Sequence, residues 1–460
     1  VDTSDDVHAF PRDTRTGMAM APMMKASEAS ATGDSLNTKN MRRILASSFI
    51  GSLIEYYDFL LYATAAALVF NKVFFADAGP GFAAFASFGT LAAGYVSRPL
   101  GGAIFGHFGD RFGRKNVLVI SMLTMGAATC VMGLLPGTAE IGVIAPVLLI
   151  VLRVVQGIAV GGEWGGAMLI ALEHAPERKR GFAASFANMG APAGAVLATL
   201  AVSAVTLLPD EDFLSWGWRI PFLLSAVLVV IGLTIRLKVA ETPLFQQLEE
   251  TAEEKKIPLL EVLGRNPKNL VLGIVAGISI YSLAGIVTVW AVSFAVEAGA
   301  DKTGVLNAKA AAAAGMVVTV ILSARLSDRY GRRSVMLFGV ISAAVCAFPI
   351  LWLVGSGTVW GYALAVVLGQ ALQGIIFGPF GAFTAELFPT RTRYTGASLA
   401  YQSASTFGAG FTPAIAAGLL AVSGGSLALL GGAWICVFAA SAVAIVLTRE
   451  GRGRDLTTIS

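Results

Sequence analysis

Apolar stretches long enough to cross a bilayer, about 20 residues each, recur along the whole chain. They fall at 44–70, 82–107, 116–136, 142–168, 181–208 and 217–237, then at 269–297, 303–324, 334–354, 358–386, 395–421 and 425–447. A polar segment, 238–268, carrying Glu249, Glu250, Glu253, Glu254, Lys255 and Lys256, separates the two sets of six. The pattern predicts an all-α integral membrane protein of twelve transmembrane helices, with an N-terminal half at 41–237 and a C-terminal half at 269–448. Residues 1–40 have no apolar run and read as a disordered tail rather than a secretory signal; residues 449–460 read as a second tail. The chain opens with Val1, and Met18, Met20, Met23 and Met24 follow, which leaves the native start open.

Composition agrees with lipid as the solvent. Of the 460 residues 55% are hydrophobic and only 13% charged, and mean hydropathy is +0.72. A soluble chain with this surface would aggregate. The net charge of +4 does not mark a nucleic-acid binder, because the charges sit in short runs between apolar stretches. Of the 33 lysines and arginines, 27 fall in the tails, the central segment and the even-to-odd loops. Lys72, Lys302 and Lys309 lie on the other side, and Arg98, Arg153 and Arg219 fall within or at the edge of apolar segments. The positive-inside rule then puts both termini in the cytoplasm.

The two halves repeat each other. GHFGDRFGRK, from Gly106 to Lys115, matches ARLSDRYGRR, from Ala324 to Arg333, and Asp110/Asp328, Gly113/Gly331 and Arg114/Arg332 are each 218 residues apart. RVVQGIAVG, from Arg153, matches QALQGIIFG, from Gln370, at an offset of 217. Glu173 and Pro176 match Glu386 and Pro389 at an offset of 213. A duplicated six-helix unit with the substrate between the halves near the midplane is one transporter architecture.

Charged side chains deep in a bilayer cost several kcal/mol unless paired or hydrated, and so mark candidate sites. Glu55 and Asp58 share one face of helix 1, which Tyr62 extends at i+7. Arg98 of helix 2 lies at a similar depth and is expected to meet Glu55 or Asp58 in at least one state. A carboxylate beside a movable cation can load and lose a proton; the alternative is a permanent ion pair that only orients the helices. Arg153, with Gln156 one turn on, suits a bidentate clamp on a carboxylate, or backbone hydrogen bonding within the bundle. Glu163, nearer the cytoplasm, reads as a gate or packing contact. Arg219, beside Trp216 and Trp218, reads as an interfacial arginine in an aromatic belt. The second half has mostly neutral polar groups, and Tyr281, Trp290, Gln370, Gln373, Tyr401 and Gln402 are its candidates for substrate hydrogen bonds, against a role as interhelical glue. Asp110, Arg111, Gly113 and Arg114, with Asp328, Arg329, Gly331 and Arg332, form two tight loops that read as a conformational latch.

Cys130, Cys346 and Cys436 lie in apolar stretches without metal-ligand spacing and read as packing residues. His107 and His174 have no partner that would make a metal site. No phosphate-cradling loop accompanies the glycines of helix 4, so ATP-driven transport is not expected. No catalytic residue, cofactor or metal is assigned. A membrane enzyme lacks a nucleophile–base pair, and a non-transporting sensor lacks the long added domain such proteins often carry.

The paired D-R-x-G-R loops and the R-x-x-Q-G helix resemble the major facilitator superfamily over about residues 40 to 450. EYYDF from Glu55, SRPLGGAIFGHFGDRFGRK from Ser97, GGEWGGA from Gly161 and SWGWRIPFLLS from Ser215 resemble its metabolite:proton symporter family, and shikimate permease-like members in particular. That family usually has Trp at the position of Tyr56. The resemblance implies proton-coupled import of a small organic acid, such as shikimate, 2-oxoglutarate or citrate, or of a zwitterion such as proline or betaine, by alternating access, with no coupling as a further alternative. It implies a bacterial inner membrane protein, expected to be a monomer. An efflux antiporter would carry a Gly-Pro-rich signature in helix 5, of which GAPAGA from Gly190 is only a faint echo.

Overall fold

The structure, a computed structural model, describes residues 21–76, 80–238 and 258–453. Twelve long helices run in sequence: α1 (Ala21–Ala65), α2 (Pro80–Phe112), α3 (Arg114–Leu134), α4 (Ile144–His174), α5 (Arg180–Val205), α6 (Arg219–Leu237), α7 (Pro267–Ala284), α8 (Lys302–Tyr330), α9 (Arg332–Gly355), α10 (Val359–Ala385), α11 (Arg393–Ser405) and α12 (Leu427–Leu447). Eleven are apolar enough along their length to cross a membrane unaided. The exception, α2, is diluted by its glycines, Arg98 and Pro99, yet it is long enough to span at 1.5 Å per residue.

Four helices adjoin a widened turn among the described residues: α1 through Ala66–Phe70, α6 from Phe213–Gly217, α7 through Gly285–Trp290 and α11 through Thr406–Gly410. The turns in α1 and α7 occupy matching places in the two halves. A widened turn loosens the regular backbone ladder and often marks a functional segment.

Two boundaries differ from the sequence reading. Helix α1 begins at Ala21, so residues 21–40, assigned above to a tail, extend the helix; Ala, Met, Lys and Glu there favour it. Within the polar central segment, Pro258–Arg265 forms a short helix. The rest of both tails and of that segment, residues 1–20, 239–257 and 454–460, lies outside the described residues.

The α2–α3 and α8–α9 turns share their backbone conformation at the turn glycine. Gly113 and Gly331 take φ of 101° and 97°, a region that L side chains avoid. Both turns lie on the same face of the molecule, with the α4–α5 and α10–α11 turns. We refer to this as the latch face and to the opposite side as the far face.

Candidate functional site

The first half gathers six buried charged side chains inside the bundle: Glu55 and Asp58 of α1, Arg98 of α2, Arg153 and Glu163 of α4, and Arg236 of α6, none more than 3% exposed. Three are carboxylates and three are guanidinium groups, and each is satisfied differently.

Asp58 is held by hydroxyls. Ser225 Oγ donates to Oδ1 at 2.6 Å, and Thr129 Oγ1 donates to Oδ2 at 3.0 Å. Thr129 in turn accepts from Gln156 Nε2 at 2.8 Å, and Gln156 Oε1 accepts from Arg153 Nη1 at 2.5 Å. A continuous chain thus runs from α6 through α1 and α3 to α4. Arg153 also lies over the rings of Tyr62 and Phe59, at 4.0 and 4.3 Å from their centroids. Its Nε and Nη2 have no acceptor among the described residues. Tyr62 is fixed by its hydroxyl, which donates to Thr90 Oγ1 at 2.7 Å. Gly94 makes room, since a Cβ there would lie 2.4 Å from Arg153 Nε.

Arg98 and Glu55 are the unsatisfied members. Among the described residues, both carboxylate oxygens of Glu55 lack a hydrogen-bond partner, as do Nε and Nη2 of Arg98. Arg98 sits over Phe59 at 4.0 Å and Tyr95 at 4.9 Å. The pairing of Arg98 with Glu55 or Asp58, expected for at least one state, is not made in this one: among the described residues neither acid ion-pairs with it. Buried groups left without partners are costly, which sets Glu55, Arg98 and Arg153 apart from the fully bonded Asp58.

The second half closes on this region with rings. Tyr401 of α11 stacks on Trp164 of α4, with centroids 3.5 Å apart and planes at 17°. Tyr56 and Tyr401 share a hydrogen bond between hydroxyls at 2.8 Å. Tyr281 meets Tyr401 edge-on at 5.5 Å. Gln370 keeps a buried, unpartnered Oε1, and Gln373 is buried beside it on α10. Gln402 donates its amide to the carbonyls of Val160 and Gly161, at 3.3 and 3.4 Å, and its buried Oε1, like that of Gln370, has no partner among the described residues. Trp290 stacks on Phe294 at 4.9 Å within the α7 widened turn rather than joining the Tyr401 cluster.

On the latch face the repeat is used crosswise. Asp110 accepts from the backbone N–H groups of Tyr394 and Thr395 at 3.1 and 2.8 Å, and from Thr395 Oγ1 at 2.8 Å. Asp328 accepts from the N–H groups of Gly181 and Phe182, both at 2.8 Å. Each acid therefore caps the first turn of a helix in the opposite half, where orphan donors and the helix dipole favour an anion. Arg114 pairs with Glu173, which also meets Arg393 at 3.3 Å. Arg332 pairs with Asp328 at 2.6 Å and with Glu386 at 3.3 Å. Arg111 and Arg329 are exposed and stack on Phe112 and Tyr330. Toward the far face the hydrogen bonds between halves end at Thr406 Oγ1 to Tyr95 O, 2.9 Å, among the described residues. The halves are thus clamped on the latch side.

Several participants escaped the sequence. Arg236, counted there among the central-segment charges, is 1% exposed and forms a two-point contact with Glu163, at 2.5 and 2.8 Å, which Ser121 Oγ joins at 3.0 Å. Asn188 bridges the halves, accepting from Trp164 Nε1 at 2.8 Å and donating to Phe377 O at 2.7 Å. Thr129 and Ser225 gave only the weak signal of a hydroxyl in an apolar helix. Trp218, placed above in an interfacial belt, is 2% exposed and packs on Phe70, Phe74 and Phe222. Arg219 caps the carbonyls of Gly133 and Leu135 at 3.0 and 2.7 Å; α3 ends there with unsatisfied acceptors.

Comparison with known proteins agrees with this arrangement. The family model for the Major Facilitator Superfamily matches residues 48–413. The chain is 42% identical over 430 residues to the inner membrane metabolite transport protein YhjE of Escherichia coli, covering 92% of this chain and 96% of that one. It is 39% identical over 400 residues to the Escherichia coli shikimate transporter, covering 85% and 90%. It is 33% identical over 394 residues to the proline/betaine transporter of Salmonella typhimurium, covering 83% and 78%. Among solved structures, the proton:xylose symporter XylE bound to 6-bromo-6-deoxy-D-glucose matches with a TM-score of 0.74 at 17% identity, over 92% of this chain and 99% of that one. The chain belongs to the Major Facilitator Superfamily and is a multi-pass membrane transporter.

Proposed function

We propose that this transporter imports a small organic acid together with a proton. The observation that carries the reading is the pair of buried guanidinium groups, Arg98 and Arg153, both over the Phe59 ring and both with N–H edges lacking an acceptor among the described residues, together with the buried carboxyl of Glu55, which has no partner there either. An arginine fork fits a carboxylate by two parallel hydrogen bonds. A carboxyl with no donor on either oxygen is far cheaper to bury as the neutral acid than as the anion. The site therefore accommodates a substrate anion and a proton together.

The latch face is assigned to the cytoplasm, where the positive-inside rule places its basic loops, within a bacterial inner membrane. The clamped latch then makes this the state that receives substrate from outside. Binding favours the alternative state by its differential contacts: the crosswise caps on Asp110 and Asp328 release, and the Tyr56–Tyr401 and Asn188–Phe377 contacts part. A zwitterion such as proline or betaine is the second reading. Tyr56, Tyr281, Tyr401 and Trp164 would face its cationic end, and similarity to a proline/betaine transporter favours it.

The test is uptake into proteoliposomes of labelled shikimate, 2-oxoglutarate, citrate, proline and betaine, with and without an inward proton gradient. Accumulation of an acid that collapses with a protonophore is expected. Equilibration indifferent to the gradient would sink the coupling assignment and leave a facilitator.

A further inference from the structure

We propose that Glu163 and Arg236 are the release station of the proton path, receiving the proton from Glu55 on its way to the latch face. The inference rests on the coupled-import reading above.

The position of Arg236 is the first reason. It stands in the last turn of α6, where a long side chain can reach a polar surface at little cost. Instead it folds inward and is 1% exposed. Burying an ion pair seldom adds stability over apolar packing, so the inward turn calls for another explanation.

Its surroundings are the second. A Cβ on Gly51 would lie 2.0 Å from Arg236 Nη2 and 2.5 Å from Glu163 Oε1. The pair is therefore pressed against α1 one turn before Glu55, on the same helix face. Glu55 lies within electrostatic reach of Arg98, Glu163 and Arg236. Arg236 Nε is buried without an acceptor, which leaves a donor to spare. The groups facing Glu163 are Arg236 of α6, Ser121 of α3, the Gly51–Glu55 face of α1, and Tyr394 of α11, whose hydroxyl donates to Gly162 O at 2.6 Å.

Asp58, Glu55 and Glu163 thus form three carboxylates at successive levels from the centre toward the latch face. In the step we assign, the O–H proton of Glu55 transfers to a carboxylate oxygen of Glu163 once a side-chain rotation or a bridging water brings the two carboxyls into hydrogen-bond reach; they are not bonded to each other in this state. Arg236 shifts from Glu163 to the Glu55 anion, so a proton and a cation exchange places and no charge is stranded. When the latch opens, Glu163 gives the proton to water and Arg236 returns.

The test uses the full chain in proteoliposomes with labelled shikimate, comparing wild type with Glu163→Gln, the charge-balanced double variant E163Q/R236Q, and Gly51→Ala. Two readouts separate the roles. Counterflow exchange at equal pH needs substrate binding and reorientation but no net proton release; accumulation under an inward proton gradient needs all three. Exchange is expected to persist in all variants while accumulation across one pH unit falls about tenfold, to equilibrium. The inference is overturned if the double variant accumulates like wild type, or if exchange and accumulation fall in parallel in every variant, as a structural role would give. Should wild type exchange shikimate but ignore a protonophore, the coupled-import reading itself falls.

Discussion

The strongest quantitative test concerns Asp110. Its carboxylate takes two backbone N–H groups and one hydroxyl from the start of α11, all across the interface between halves. A hydrogen bond to a charged group contributes about 1.5–3 kcal/mol when its partner is removed. Opening the latch exposes both sides to water, which recovers part of this for each of the three bonds. A net preference for the clamped state of about 2 kcal/mol remains, equivalent to roughly 30-fold in population. Asp110→Ala should release it. The reporter is Ser398→Cys, in a background with Cys130, Cys346 and Cys436 replaced; Ser398 is fully buried where α11 packs on Gly102 and Gly165. In detergent, maleimide labelling of that cysteine should accelerate roughly 30-fold in the Asp110→Ala protein, following the open population. Rates that agree within about threefold would refute the argument, since that difference is under 1 kcal/mol.

Four further outcomes follow from the geometry. Arg153→Lys keeps the charge but loses the planar fork and its stacking on Tyr62 and Phe59; the half-saturating substrate concentration should rise about 10- to 100-fold, as one or two charge-assisted bonds are lost, read from initial uptake rates. Gly94→Ala, whose Cβ would meet Arg153 Nε, should reproduce that defect without touching a charge, while Gly89→Ala, with nothing within 4 Å, should transport normally. Gly331→Ala forces an L side chain to φ 97° and toward Glu450; a cost of about 1–3 kcal/mol should lower the thermal unfolding temperature in detergent. Arg236→Ala strands the Glu163 anion and should cost about 3–5 kcal/mol, most of it restored in E163Q/R236Q because neither charge is then left alone, again by thermal unfolding.

Much of this molecule is readable along one dimension. Hydrophobic length and loop charge give the helix count, because each helix meets lipid on its own. The two D-R-x-G-R loops announce a repeated turn, and the structure adds that each acid caps a helix of the other half. Glu55, Asp58, Arg98 and Arg153 stand out because ionisable groups are rare in apolar segments. What the sequence hides are partnerships set by rotamer and depth. Arg236 lies close to the polar central segment and counts there as a loop charge; only the fold reveals that it turns inward to Glu163. Trp218 sits among residues that suggest an interface, yet packing on Phe70, Phe74 and Phe222 buries it. Asn188 is a lone amide in an apolar helix until Trp164 and Phe377 are brought to it.

The balance of three carboxylates (Glu55, Asp58, Glu163) against three guanidinium groups (Arg98, Arg153, Arg236) inside the first-half bundle, away from the latch face, bears on how the carrier meets the membrane potential. Before the proton arrives, with Glu55 deprotonated, the six charges cancel, and a monovalent anion entering with the proton that neutralises Glu55 leaves the site neutral. The loaded and the empty protein then reorient with the same internal charge. Voltage does work only on charge that moves through the field, so neither half of the cycle is pulled by it. A carrier built this way would be driven by the pH difference alone, and a potassium diffusion potential imposed at equal pH would leave its uptake of a monocarboxylate unchanged.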